Sequence, residues 1–404
     1  MPIHSNNINW FKHYLILLSF VSINYTSFSQ SDSAKKYLSP PKSILVIEPQ
    51  VHSGKLMKIY PVFPQTDFAD LNEVNIAIQT AGNKEWHQTF NYPQVGLALF
   101  YGYLGNNAIM GQNFAAVPNL AFNNRRGKRF WLQTRFGMGF AYFTKHYNAI
   151  TNPTNLVIGS SINNMTFLAL DGNFKLSSHF NFNVGVSTLH FSNGHYQLPN
   201  LGANIPSVNV GISYFPVAKP AYYKRDSITH PVKKLLFNMN FGYGRHEFGS
   251  ATKATGGPKY NVFQGALYVS KRWRQICNVH LGVFVSYYAD YYDFIVSEEM
   301  FKNQQHLKST VITVFLGHEW MIGHFGLVAQ SGINVYNPFL KEYRKQLDAK
   351  TSADLGTYIS NKVGIHYYVW NPMRTTSKNL YFGMYLKANF GTADFAEIAM
   401  GYSF

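Results

Sequence analysis

The feature that most constrains this chain is a two-residue rhythm that runs almost to its last residue. Val74, Ile76 and Ile78 alternate with Asn75, Ala77 and Gln79, and Val95, Leu97, Leu99, Tyr101 and Tyr103 alternate mostly with glycine and alanine. Phe237, Met239, Phe241 and Tyr243 oppose Asn238, Asn240, Gly242 and Gly244, and Phe382, Met384 and Leu386 oppose Gly383, Tyr385 and Lys387. Side chains of a strand point alternately to its two faces, so each run has one apolar face and one small or polar face; an amphipathic helix would repeat every three to four residues. No helical stretch is expected after the N-terminal segment. Charged residues make up only 13% of the chain and aromatics 17%, whereas a soluble domain carries about 25% charge. Mean hydropathy is nevertheless only -0.15, which does not suit a helical membrane protein.

The N-terminus reads as a secretory signal peptide over residues 1–29: Lys12 and His13 lead an apolar run, Tyr14 to Ile23, followed by small and polar residues to Ser29. That run is shorter than the ~20 residues a spanning helix needs, and nothing later supplies one. Membrane residence then requires a closed β-barrel, which satisfies every backbone hydrogen bond internally. The last strand agrees, with Ile398, Met400, Tyr402 and the terminal Phe404 on one face and small or polar residues on the other. An aromatic terminus of this kind resembles the one bacterial outer-membrane proteins present for assembly. The cell outer membrane is therefore the expected location.

The expected fold is an all-β transmembrane antiparallel barrel of about 14–16 strands. Strand starts are expected near 43, 72, 94, 109, 129, 162, 178, 205, 234, 260, 276, 309, 323, 354, 378 and 393. With a periplasmic N-terminus, residues 143–161, 246–259, 291–308 and 336–353 become long outer loops. Two long gaps fall on the wrong side, Ala81–Pro93 and the proline-rich Pro216–Lys233. Residues 30–42 read as a periplasmic lead, 43–215 as a first half, and 216–404 as strands that complete the same barrel, since closure leaves no open edge in lipid. Two separate eight-stranded barrels are the alternative, with no repeat between the halves to favour them.

The formal charge of +16 comes from scarce acids, 19 against 35 bases. Export and the lack of any basic helix or finger motif argue against nucleic acid; at a membrane surface the charge would attract phosphorylated head groups. The single Cys277 forms no intrachain disulfide and offers no thiolate metal cluster. Glu85-Trp86-His87 and His318-Glu319 do not complete H-E-x-x-H, and Arg125-Arg126-Gly127-Lys128, Gly105-Asn106-Asn107 and Gly256-Gly257-Pro258 read as turns. No cofactor or metal is expected.

One stretch carries a chemical pattern: Leu189-His190-Phe191-Ser192-Asn193-Gly194-His195, then Pro199-Asn200-Leu201-Gly202-Ala203-Asn204. In the strand from Phe180, residues 182, 184 and 186 are apolar and 181, 183, 185 and 187 polar or small. Continued forward, this parity sets His190 and Ser192 on the lipid side, and the next strand's parity, continued backward, sets Asn204 there too. An imidazole and a hydroxyl at i and i+2 share a face, so the histidine could take the serine proton during attack on an ester, with a third polar group fixing its tautomer. From the residues alone, His-x-Ser at a strand end more often marks an interfacial belt or a loop start.

The stretch resembles the active-site region of the lipid A 3-O-deacylase family of outer-membrane barrels, which carries His-x-Ser-Asn, then Pro-Asn-x-Gly, then an acid twelve residues after the serine. His190, Ser192, Asn193, Pro199, Asn200 and Gly202 match, over a resemblance spanning roughly residues 44–215. It implies Ser192 as nucleophile, His190 as general base and Asn200 as oxyanion donor, helped by Asn193 and by backbone N–H groups near Gly194 and His195. The acid's place is taken by Asn204. The Ser, His and Asn set also resembles outer-membrane phospholipase A, but Gln197 stands where that enzyme has a calcium-binding aspartate. The resemblance thus implies a serine esterase acting on lipid A or another outer-leaflet lipid, with phospholipase A or a passive porin-like barrel as alternatives. Homo-oligomerisation is left open by the sequence.

Overall fold

The computed structural model describes residues 42–124, 128–218, 235–249, 251, 253, 256–273, 276–346, 352–372 and 378–404. The expected signal peptide, nearly all of the expected lead, Arg125 to Gly127 and most of Pro216–Lys233 lie outside these residues. Among the described residues there are sixteen strands: β1 (Ile44–Lys55), β2 (Phe68–Gln79), β3 (Gln94–Tyr103), β4 (Gln112–Asn123), β5 (Phe130–Phe143), β6 (Ile162–Lys175), β7 (Phe180–Ser192) and β8 (Ala203–Tyr214), then β9 (Leu235–Glu247), β10 (Lys259–Trp273), β11 (Cys277–Tyr288), β12 (Thr310–Ile322), β13 (Phe325–Tyr336), β14 (Ile359–Tyr368), β15 (Asn379–Asn389) and β16 (Thr392–Ser403). The largest offset from the expected starts is five residues, at β14, expected from 354 and starting at Ile359.

These strands close as two barrels of eight, not as one continuous wall. β8 pairs with β7 on one edge and returns to β1 on the other, with Val51 opposite Val210. β16 closes the second ring on β9, with Tyr402 opposite Met239. Residues 216–404 therefore do not complete the first barrel. The long Pro216–Lys233 gap, anomalous in a single barrel, falls in sequence between β8 of the first barrel and β9 of the second. The second anomaly, Ala81–Pro93, holds a short helix, α1 (Glu85–Thr89).

Helices expected nowhere occur in the long connections: besides α1 there are α2 (Ala289–Ser297), α3 (Gln305–Lys308), α4 (Pro338–Gln346) and α5 (Ser352–Tyr358). Each is nine residues or shorter, too brief for a helical period to stand out in sequence. They draw on tertiary contacts, as Tyr291 and Phe294 of α2 do by packing against Phe339 of α4, tilted and edge-on respectively. Among the described residues, no helix is long and apolar enough to cross a membrane.

Eight strands leave an interior just wide enough for side chains to fill. In the first barrel the inner half is polar: Arg135 pairs with both oxygens of Glu73, His52 Nε2 lies 2.7 Å from Glu73 Oε2, and Asn209 donates to Asp171 at 2.6 Å. The half nearer the long loops is apolar, with Phe100, Val117, Phe143, Phe167, Leu189 and Phe191 in one cluster. The second lumen is filled by Glu319, His280, His366 and Tyr368, and by the Lys362–Glu397 and Lys387–Asp394 pairs. Arg135, His52, Glu319 and His366 are each 0% exposed; an open aqueous channel would wet them. Outward positions reverse the pattern. Val74, Ile76, Ile78, Phe241, Met384, Ile398 and Met400 are all exposed, an apolar cladding suited to lipid contact.

Candidate active site

β7 rises to the long-loop end of the first barrel and β8 descends from it. Their register sets His190 directly opposite Asn204. The expected parity holds: His190 and Asn204 are half-buried on the outer face, while Leu189, Phe191, Ala203 and Ile205 fill the lumen. His190 Nδ1 lies 2.8 Å from Asn204 Oδ1. A carboxamide oxygen only accepts, so the ring proton sits on Nδ1 and Nε2 keeps its lone pair.

Ser192 ends β7 and is buried beneath the 193–202 loop instead of standing open to lipid. Its Oγ receives two donors, Asn200 Nδ2 at 2.9 Å and the Gly194 N–H at 3.2 Å. The expected direct hydrogen bond between His190 and Ser192 is not formed; the bond to Asn204 is the one the His190 ring makes. The two side chains nonetheless flank one point. A methyl group built on Gly202 would lie 3.6 Å from His190 Cε1, 3.7 Å from Ser192 Cβ and 3.0 Å from the Phe191 carbonyl, and φ there is +71°. Glycine at 202 thus serves both the close approach and the left-handed turn. Catalytic hydrogen bonds are often long in the free enzyme and tighten with substrate.

The other expected residues divide by role. Asn193 holds the loop: its N–H donates to Asn200 Oδ1 at 3.2 Å, and its Nδ2 donates to the Gln197 carbonyl at 2.8 Å and to Ser160 Oγ at 3.1 Å. With its own oxygen occupied by Asn193, the Asn200 amide turns its Nδ2 to the serine. Of the two backbone donors expected around Ser192, that of Gly194 reaches it and that of His195 does not. The His195 ring is buried beside His246, centroids 6.2 Å apart. Burial first, and the neighbouring His246 second, hold its pKa below the usual histidine value.

Partners from outside the motif complete the site. The Leu156 and Val157 carbonyls accept from the N–H groups of Leu201 and Gly202, both at 3.1 Å. Gly159 passes so close to the Pro199 carbonyl that a methyl there would meet it at 2.1 Å. Glu247 and Ala251, from the second barrel, bond to the same loop. No sequence signal marks Ser160, Glu247 or Ala251, because each reaches the loop only through the tertiary fold.

Among the described residues no group of three or more His, Cys, Asp or Glu side chains could hold a metal ion. What the arrangement can support is nucleophilic attack by a hydroxyl, with an oriented base nearby and amide donors already gathered at the reacting atom.

Residues 72–213 match the lipid A 3-O-deacylase (PagL) family model. The match takes in β7, β8 and the loop between them, and none of the second barrel. Among solved structures, the outer membrane enzyme PagL is 17% identical, covers 41% of this chain and 97% of its own, and gives a TM-score of 0.28. Neisserial surface protein A is 5% identical, with coverages of 42% and 96% and a TM-score of 0.28. A BenF-like porin from Pseudomonas fluorescens is 8% identical, with coverages of 90% and 98% and a TM-score of 0.22. A comparison with curated proteins gives no match.

Proposed function

We propose that the protein is an outer-membrane serine esterase that hydrolyses an acyl ester of lipid A at the outer leaflet. The observation that carries this reading is the pair of amide donors, Asn200 Nδ2 and the Gly194 N–H, on the Oγ of a serine that adjoins an oriented histidine on the outer wall. The family match over residues 72–213 supports the substrate class.

In this reading His190 Nε2 takes the Ser192 proton as Oγ attacks the ester carbonyl. The negative charge that develops on the carbonyl oxygen is met by Asn200 Nδ2 and the Gly194 N–H, which move from Oγ to the oxyanion beside it. His190 then returns its proton to the departing alkoxide, and water attacks the acyl-serine by the same route in reverse. Asn204 keeps the imidazole in the required tautomer but, being neutral, gives the imidazolium less support than a carboxylate would. The apolar outer residues below, Val186 opposite Val208 and Val184 opposite Val210, offer the acyl chain a wall continuous with the bilayer. The formal charge of +16 favours a phosphorylated head group.

The test is to incubate refolded protein with purified lipopolysaccharide and, separately, with phospholipid, and to identify products by mass spectrometry. Release of a fatty acid from lipopolysaccharide by the parent, and none by a correctly assembled Ser192→Ala variant, is expected. Equal turnover by the two proteins excludes Ser192 as nucleophile, and cleavage of phospholipid alone moves the substrate class to phospholipase.

A further inference from the structure

The loop that carries Asn200 is not held by its own barrel alone. Glu247, the last residue of β9, is 1% exposed. Its Oε2 accepts the Leu198 N–H at 2.9 Å and pairs with Lys259 Nζ at 2.6 Å, and its Oε1 accepts the Gly257 N–H at 3.1 Å. Its backbone N–H donates to the His195 carbonyl at 3.2 Å, and the Ala251 carbonyl accepts the Asn200 N–H at 2.9 Å. Three consecutive points of the loop, at 195, 198 and 200, are thus tied to the second barrel. Leu198 and Asn200 are themselves buried, so without these partners their N–H groups would lie away from water unpaired, which disfavours the observed loop. The second barrel also presses on the turn after the serine. A methyl on Gly194 would lie 3.1 Å from Leu386 Cδ2 and 3.6 Å from Ala396 Cβ.

We infer that the second barrel is a working part of the hydrolytic site, with Glu247 as a positioning residue that holds the 195–200 segment so that the Asn200 amide points at Ser192. This inference rests on the esterase reading above. Glu247 touches no reacting atom; it acts through the backbone on which Asn200 stands. A donor displaced by about 1 Å can cost 10²-fold in rate, so the loss should fall on kcat and leave KM nearly unchanged.

The experiment uses the full chain refolded in detergent micelles, with purified lipopolysaccharide as the probe and fatty-acid release per folded molecule as the readout. Glu247→Ala should lower kcat by about 10- to 100-fold with KM within about 2-fold. Glu247→Gln keeps one accepting oxygen and should recover part of the loss. The decisive comparison repeats each substitution in an Asn200→Ala background, where the additional loss should shrink to less than about 3-fold, because the two residues act as one unit. A loss of the same size in both backgrounds, or no loss in either Glu247 variant, overturns the inference. If Glu247→Ala does not assemble, Glu247→Gln carries the same cycle, with a smaller loss equally dependent on Asn200. Parent protein that releases no fatty acid from lipopolysaccharide refutes the lipid A reading itself; active parent protein matched by both Glu247 variants refutes this inference alone.

Discussion

Replacing Asn204 with aspartate should make the protein a faster esterase, by about 5- to 12-fold in kcat. Asn204 Oδ1 lies 2.8 Å from His190 Nδ1, and the two residues are cross-strand partners on the outer face of β7 and β8. Aspartate therefore needs no backbone movement to take over the contact. In the transition state the imidazole becomes an imidazolium. A neutral hydrogen bond contributes about 0.5–1.5 kcal/mol and one to a charged group about 1.5–3 kcal/mol, so ionising the acceptor adds roughly 1–1.5 kcal/mol at the moment of reaction. At about 1.4 kcal/mol per tenfold, that is the stated gain. A carboxylate also removes the alternative amide orientation, in which Nδ2 would face the ring and favour the wrong tautomer. Initial rates of fatty-acid release at pH 8, normalised to folded protein by heat-modified mobility on gels, measure the effect. An Asn204→Asp variant that folds but runs no faster than the parent would refute the idea that Asn204 acts on the charge of His190.

Asn200→Ala removes a donor now 2.9 Å from Ser192 Oγ; loss of one oxyanion donor should lower kcat by about 10²–10³-fold with little change in assembly. Arg135→Leu strips the buried partner from Glu73 inside the first lumen, and a broken buried pair should cost about 3–5 kcal/mol, read as a lower urea midpoint for unfolding from vesicles. Because the folded His195 has a depressed pKa, the unfolded chain binds the proton more readily, so the stability this residue adds is present above the ordinary value of 6.5 and is lost as pH falls below it. Protection factors of the amides in residues 193–202, taken relative to intrinsic exchange rates at each pH, should accordingly fall below about pH 6.5, and His195→Gln should flatten that response.

Much of this architecture was legible because barrel walls write their two faces into the chain. Val74, Ile76 and Ile78 form the apolar face of their alternating run and are exposed, and the same kind of parity carries His190 and Asn204 to the outer face, where they meet. Closure was not legible. An outward Val210 satisfies the same alternation whether its neighbour is Val51 of the same half or a strand of the other. The inward residues held a clue: Glu48, Glu73, Arg135 and Asp171 are large or charged groups that a wide lumen would hydrate and a narrow one must pair. The roof over Ser192 was hidden for a different reason, since Ser160, Glu247 and Ala251 lie far from it along the chain and bond to loop backbone without any pattern of their own.

Covalent trapping gives the most direct test of the central claim, that Ser192, beneath the 193–202 loop at the end of β7, is an activated nucleophile. The folded protein would be treated with a long-chain fluorophosphonate and the adduct mapped by peptide mass spectrometry. A single addition at Ser192, strongly slowed in His190→Ala, is the predicted result; an unlabelled Ser192 in fully folded protein would contradict it.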